Sequence, residues 1–67
     1  MIPDTFTLAD LALFLDEQRL RLARLSSEGG ELFSAVLVDR ETGVHYSGFG
    51  ETPSAALNVA LELRTRQ

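Results

Sequence analysis

Cysteine is absent from the 67 residues, so a disulfide scaffold, a thiolate zinc site and a cysteine nucleophile are all excluded. Lysine is absent too. Six arginines face ten acids, for a net charge of −4. That balance disfavours a strongly basic nucleic-acid binder and attachment to an anionic membrane. No basic stretch opens the chain: Met1-Ile2-Pro3-Asp4 lacks the n-region of a signal peptide. The longest apolar run nearby, Leu11 to Leu15, is far short of the ~20 residues that a membrane span needs. A cytoplasmic location and no membrane partner are therefore expected.

Thirty residues are hydrophobic, twelve of them leucine and seven alanine. That is enough for a core and too much for a disordered tail. Residues 1–67 are expected to form one small domain. Below ~70–80 residues, apolar burial at about 25 cal/mol per Å² barely offsets the roughly 1.5 kcal/mol lost on ordering each residue. With no disulfide available, association with a partner or a second copy becomes an expected source of stability.

Residues 1–6 form a short lead with Ile2 and Phe6 as anchors. Thr7 can cap a first helix, with Asp10 three residues on and Asp4 near its positive end. Leu8, Leu11, Ala12 and Leu15 then mark one helical face, with Leu13 and Phe14 off it. Residues 18–27 fit two readings. As a helix they continue the stripe through Leu22 and Leu25, with Glu17 and Arg21 paired at i, i+4. As a strand they place Leu20 and Leu22 on one face and Arg19 and Arg21 on the other. The strand is preferred, because a two-stranded hairpin alone is marginal and Ser26-Ser27-Glu28-Gly29-Gly30 reads as a hairpin loop.

Residues 32–39 form the clearest strand, followed by an Asp39–Gly43 turn and a returning strand from Val44 to Phe49. Gly48 and Gly50 thin that strand and invite a close backbone approach or a bulge. Thr52 caps a second helix whose first position is Pro53. Ala56, Val59, Ala60 and Leu63 are its expected buried face, and Arg64 and Arg66 suit its C-terminal dipole. The expected fold is α+β, in the order α-β-β-β-α, with a three-stranded antiparallel sheet and two helices on one face.

That order over residues 7–66 resembles the double-stranded RNA-binding domain. Gly48-Phe49-Gly50-Glu51-Thr52, running on to Ala60, looks like that family's Gly-x-Gly-x-Ser lead into its second helix. The family grips phosphates with a Lys-Lys-x-Ala-Lys run. Pro53, Ser54 and Leu57 stand at its three cationic positions here, with Ala56 as the shared alanine and Glu51 adding a negative charge. The resemblance thus implies the fold without the RNA grip, and no strong duplex RNA or DNA binding is expected. Gly50-Glu51-Thr52-Pro53-Ser54-Ala55-Ala56-Leu57 is also similar to the Gly-x-Thr-x-x-x-Ala-Leu lead of HicB-type antitoxin domains.

Candidate chemistry is sparse. His45 with Asp39, Ser34 and Ser47 could be imagined as a nucleophile set, but same-face strand neighbours supply no pocket. Asp39, Glu41 and His45 around the turn are a weak metal set, and turn chemistry already accounts for Asp39. Gly48-x-Gly50 before a helix suggests an anion, which Glu51 would repel. Arg19, Arg21 and Arg24 form the one basic cluster, suited to an acidic surface or a nucleic-acid backbone. Leu57 and Leu61 lie well off the expected buried face of the second helix, so they either meet the first helix or form an exposed stripe.

Alternation turns Phe33, Ala35 and Leu37 toward the helices and Ser34, Val36 and Val38 away from them. The expected function is protein binding without catalysis or cofactor, by a regulator or inhibitor of the size that phages and mobile elements encode, as anti-CRISPR proteins are. The expected surface is Val36, Val38, His45 and Phe49 with Arg19, Arg21, Leu57 and Leu61. Its partner is another protein or a second copy in a homodimer. The alternative is a nucleic-acid-binding or HicB-like antitoxin role that uses the arginines.

Overall fold

The structure, a computed structural model, describes residues 2–66. Its elements are α1 (Leu8–Glu17), β1 (Leu20–Glu28), β2 (Leu32–Asp39), β3 (His45–Gly50) and α2 (Pro53–Arg66). The strands form one antiparallel sheet in the order β1-β2-β3. Both helices cover the same face, as expected for this α+β order.

Thr7 starts α1 by accepting the Asp10 N–H on its hydroxyl at 3.1 Å. The helix stops because Arg19 enters the left-handed region, at φ 56°, with its N–H bonded to the Asp16 carbonyl at 3.1 Å. Glycine normally fills that position. With the helix closed there, residues 20–28 run as a strand, and the continued-helix reading is excluded. The Leu22–Leu25 spacing that imitates a helix is absorbed by a register shift between Leu22 and Arg24. One extra residue, Ala23, lets Leu20, Leu22 and Leu25 share the inner face.

Gly29 and Gly30, both at positive φ, turn the first hairpin. In the second turn, an Asp39 carboxylate oxygen accepts the Glu41 and Thr42 N–H groups at 2.8 and 3.1 Å, and Gly43 takes φ 77°. Val38 pairs with His45, Val36 with Ser47 and Ser34 with Phe49. The sheet faces are therefore those that alternation predicts.

The core joins Ile2, Leu11, Leu15, Leu20, Ala35, Leu37, Tyr46, Ala56, Leu57 and Ala60. Helix α2 presses directly on β3. A Cβ on Gly48 would lie 2.6 Å from the Ala60 nitrogen, and one on Gly50 would lie 2.7 Å from the Ala56 nitrogen. The two glycines thus serve a close backbone approach.

Several expectations are corrected by this packing. The buried side of α2 runs through Ala56, Leu57 and Ala60, while Val59 and Leu63 are exposed. Leu57 is completely buried and Leu61 packs against the core, so neither forms an exposed stripe. On α1, Leu8 and Ala12 face solvent and Phe14 turns inward. The Asp4 carboxylate reaches the start of α2. It accepts hydrogen bonds from the hydroxyls of Ser54 and Thr52, the latter at 3.4 Å.

Three further ties join distant segments of the domain. Asn58 clamps the buried Ile2, accepting its N–H at 2.8 Å and donating to its carbonyl at 2.9 Å. The C-terminus of α1 has no basic residue in its own last turn. Arg40 supplies one, donating to the Asp16 carboxylate at 2.8 Å and to its carbonyl at 3.3 Å. Arg64 supplies another, donating to the Gln18 carbonyl at 3.0 Å. Both cations complement the negative end of the helix dipole.

Candidate functional site

The sheet face opposite the helices is the most distinctive surface. Its middle row is Leu32, Ser34, Val36 and Val38. Phe49, Ser47 and His45 flank it on β3, and Glu28, Ser26, Arg24 and Arg21 on β1. A one-faced antiparallel sheet is normally polar on its free side. Here Phe49 is 55% exposed, Leu32 is exposed and Val36 is half-buried.

Val38 does not belong to the accessible part. It is only 6% exposed, on the central strand between its cross-strand neighbours Arg21 and His45. Ser34 is buried in the same row opposite Phe49. Of the expected patch, Val36 and Phe49 remain as its apolar part, with exposed His45 and Arg21 beside them. Leu57 lies in the core, and Leu61 lines a groove of about 490 Å³ between the helices with Phe14, Gln18 and Arg64.

The arginines do not form one cluster. Arg19 precedes β1 and pairs with Glu41. That carboxylate raises the guanidinium pKa, through their hydrogen bond first and their charges second. The β1 register shift puts Arg24, not Arg19, beside Arg21 on the outer face. Arg24 donates to Glu28 at 3.1 Å and to Ser26 at 3.2 Å. Two of the three cations are thus matched by acids in the chain itself, which weakens the field they could offer a phosphate backbone.

The candidate chemical sets also come apart. His45 is on the outer face, whereas Asp39 faces the helical side, with its carboxylate 3.8 Å from Arg64. Asp39 is held below the ordinary carboxylate pKa by the Glu41 and Thr42 N–H groups, with a smaller contribution from Arg64. Glu41 is turned to Arg19. Among the described residues, no group of three or more His, Asp or Glu could hold a metal ion. At the start of α2, where an anion could sit, the Asp4 carboxylate already occupies the helix end through Thr52 and Ser54.

Sequence reasoning missed the Asp4, Asn58, Arg40 and Arg64 ties. Each joins residues more than twenty positions apart, and no local spacing announces them. No described helix is long and apolar enough to cross a membrane. No protein-family model matches the chain, and no significant match is found among curated proteins or solved structures.

Proposed function

We propose that this protein is a small acidic binding module, a cytoplasmic regulator or inhibitor that acts by contact with another protein and not by catalysis. The carrying observation is the half-exposed Phe49 beside Val36 on a sheet face that a free antiparallel sheet would keep polar. The face has the layout of a recognition patch, with an aromatic and aliphatic centre and Arg21, His45 and Glu28 around it. The likeness to the double-stranded RNA-binding domain extends this reading to fold without RNA binding. Of the positions where that family carries its cations, Ser54 and Leu57 are buried here.

The test is affinity capture from the source organism with the wild-type chain, Phe49→Glu and Leu13→Glu. Leu13 is a comparably exposed apolar residue on the far side of α1. A stoichiometric protein partner should bind the wild type and Leu13→Glu and be lost with Phe49→Glu, while the far-ultraviolet circular dichroism stays unchanged. Truncating a central aromatic of an interface costs 2 kcal/mol or more, about thirtyfold in affinity. Retention of that partner by Phe49→Glu refutes this placement. Recovery of nucleic acid through Arg21 would favour the antitoxin-like alternative.

A further inference from the structure

The two edges of the sheet are unlike. The β1 edge is protected by charge and by its register shift, carrying Arg21, Arg24 and Glu28. The β3 edge has neither protection. Residues 42–50 contain no acid, lysine or arginine.

Its backbone phase follows from the Asp39 N–H, which bonds the Val44 carbonyl at 2.9 Å. Bonded and non-bonded pairs alternate along an antiparallel ladder. The backbone groups of Tyr46, Gly48 and Gly50 therefore turn toward β2, and those of His45, Ser47 and Phe49 toward open solvent. Above that edge lies α2. Leu57 and Leu61 face the α1 side of the helix, so Val59 and Leu63, 39% and 37% exposed, project from its opposite flank over the β3 edge.

We infer that the β3 edge pairs with the β3 edge of a second copy, antiparallel about a twofold axis through Ser47, to give a continuous six-stranded sheet. The strip is its own complement. The axis sets Ser47 opposite Ser47 and His45 opposite Phe49, so all outward backbone groups exchange in about six hydrogen bonds. It also sets Val59 and Leu63 of one α2 against the same residues of the other.

Helix α2 contacts β2 as well as β3, which draws its axis inward from the edge. With strands ~4.8 Å apart, that offset provides the 8–10 Å that two packed helices require. Two chains of net charge −4 can meet there because the β3 strip, residues 42–50, is itself uncharged. The buried area is on the order of 1,000 Å², the lower bound of specific interfaces, which makes this a weak, reversible contact. The inference is independent of the partner proposed for the outer face, although Phe49 and His45 border both surfaces.

Sedimentation velocity from about 10 to 500 μM should show a monomer–dimer equilibrium in that range. Val59→Glu with Leu63→Glu should weaken it at least tenfold with unchanged circular dichroism, and Val36→Glu, on the outer face, should not. The chain has no cysteine, so Ser47→Cys gives a clean cross-link. Residues facing each other across a bonded pair have Cα atoms ~5.5 Å apart, within the disulfide range. Ser47→Cys should oxidise to a covalent dimer, whereas Ser26→Cys, on the other edge strand, should not. A chain that stays monomeric up to 500 μM overturns the inference. So does a dimer that survives the Val59/Leu63 double substitution and does not cross-link through Ser47→Cys. Loss of the dimer with Val36→Glu alone would transfer the contact to the outer face.

Discussion

Gly48→Ala is a sharp test of how α2 sits on the sheet. At an open strand position, alanine would be better than glycine by roughly 0.5–1 kcal/mol. Position 48 is not open: an added Cβ falls 2.6 Å from the Ala60 nitrogen and 3.1 Å from the Val59 Cβ, and it also meets the Ala56 carbonyl. Two of these obstacles are backbone, so no rotamer change relieves them and the helix must lift. Overpacking of this kind costs about 1–3 kcal/mol, and the rigid backbone places it toward the upper end. A domain of this size has a total stability of only about 3–10 kcal/mol. A loss of ~2–3 kcal/mol then lowers the midpoint of thermal unfolding by roughly 10–20 °C. Thermal and urea denaturation followed by far-ultraviolet circular dichroism would measure it. Adding Ala60→Gly should not rescue the variant, because the obstruction is the peptide nitrogen and not the alanine methyl. Gly48→Ala as stable as wild type, or rescue by Ala60→Gly, would refute the packing argument.

Four other outcomes are expected. Thr52→Ala should cost about 0.5–2 kcal/mol in denaturation, since its hydroxyl accepts the Ala55 N–H at 3.1 Å and also reaches Ser54 and Asp4. Asn58→Ala leaves the Ile2 N–H and carbonyl without their partners; a loss of about 1–3 kcal/mol and faster proteolysis of residues 1–6 should follow. Asp39 has a folded pKa below its unfolded value, so its contribution to stability is full above about pH 4 and fades as the pH falls through the folded pKa. Asp39→Asn should therefore reduce stability at pH 7 and flatten the loss below pH 4 in denaturation across that range. Duplex RNA and DNA should show no specific micromolar shift at ~0.15 M salt, where specific binders do far better.

Much of this fold was legible in the chain because local physics dictates it. Thr7 and Thr52 cap where their side chains can reach back to a free N–H, whatever surrounds them. Asp39 and Gly43 make their turn by the same short-range logic. The alternation of β2 assigned Phe33, Ala35 and Leu37 to the helical face and Ser34, Val36 and Val38 to the other.

The tertiary structure decided whatever depended on a distant neighbour. The identity of Arg19 does not announce a helix stop; its left-handed backbone does, and Leu22 with Leu25 fits a helix until the extra residue at Ala23 resolves the phase. The sequence pattern of α2 favoured Val59 and Leu63 as buried. Contact with the β3 glycines rotated Leu57 inward and left those two residues over the edge. Val38 and Phe49 were equally plausible surface residues, yet only cross-strand neighbours determine that one is covered and the other is not. Periodicity and capping act within a few residues of chain, so the sequence by itself determined the element order, the helix caps, the second turn and the two faces of β2. Burial and ion pairing act between residues that meet only after folding, so the structure alone decided which parts of those faces remain available to a partner.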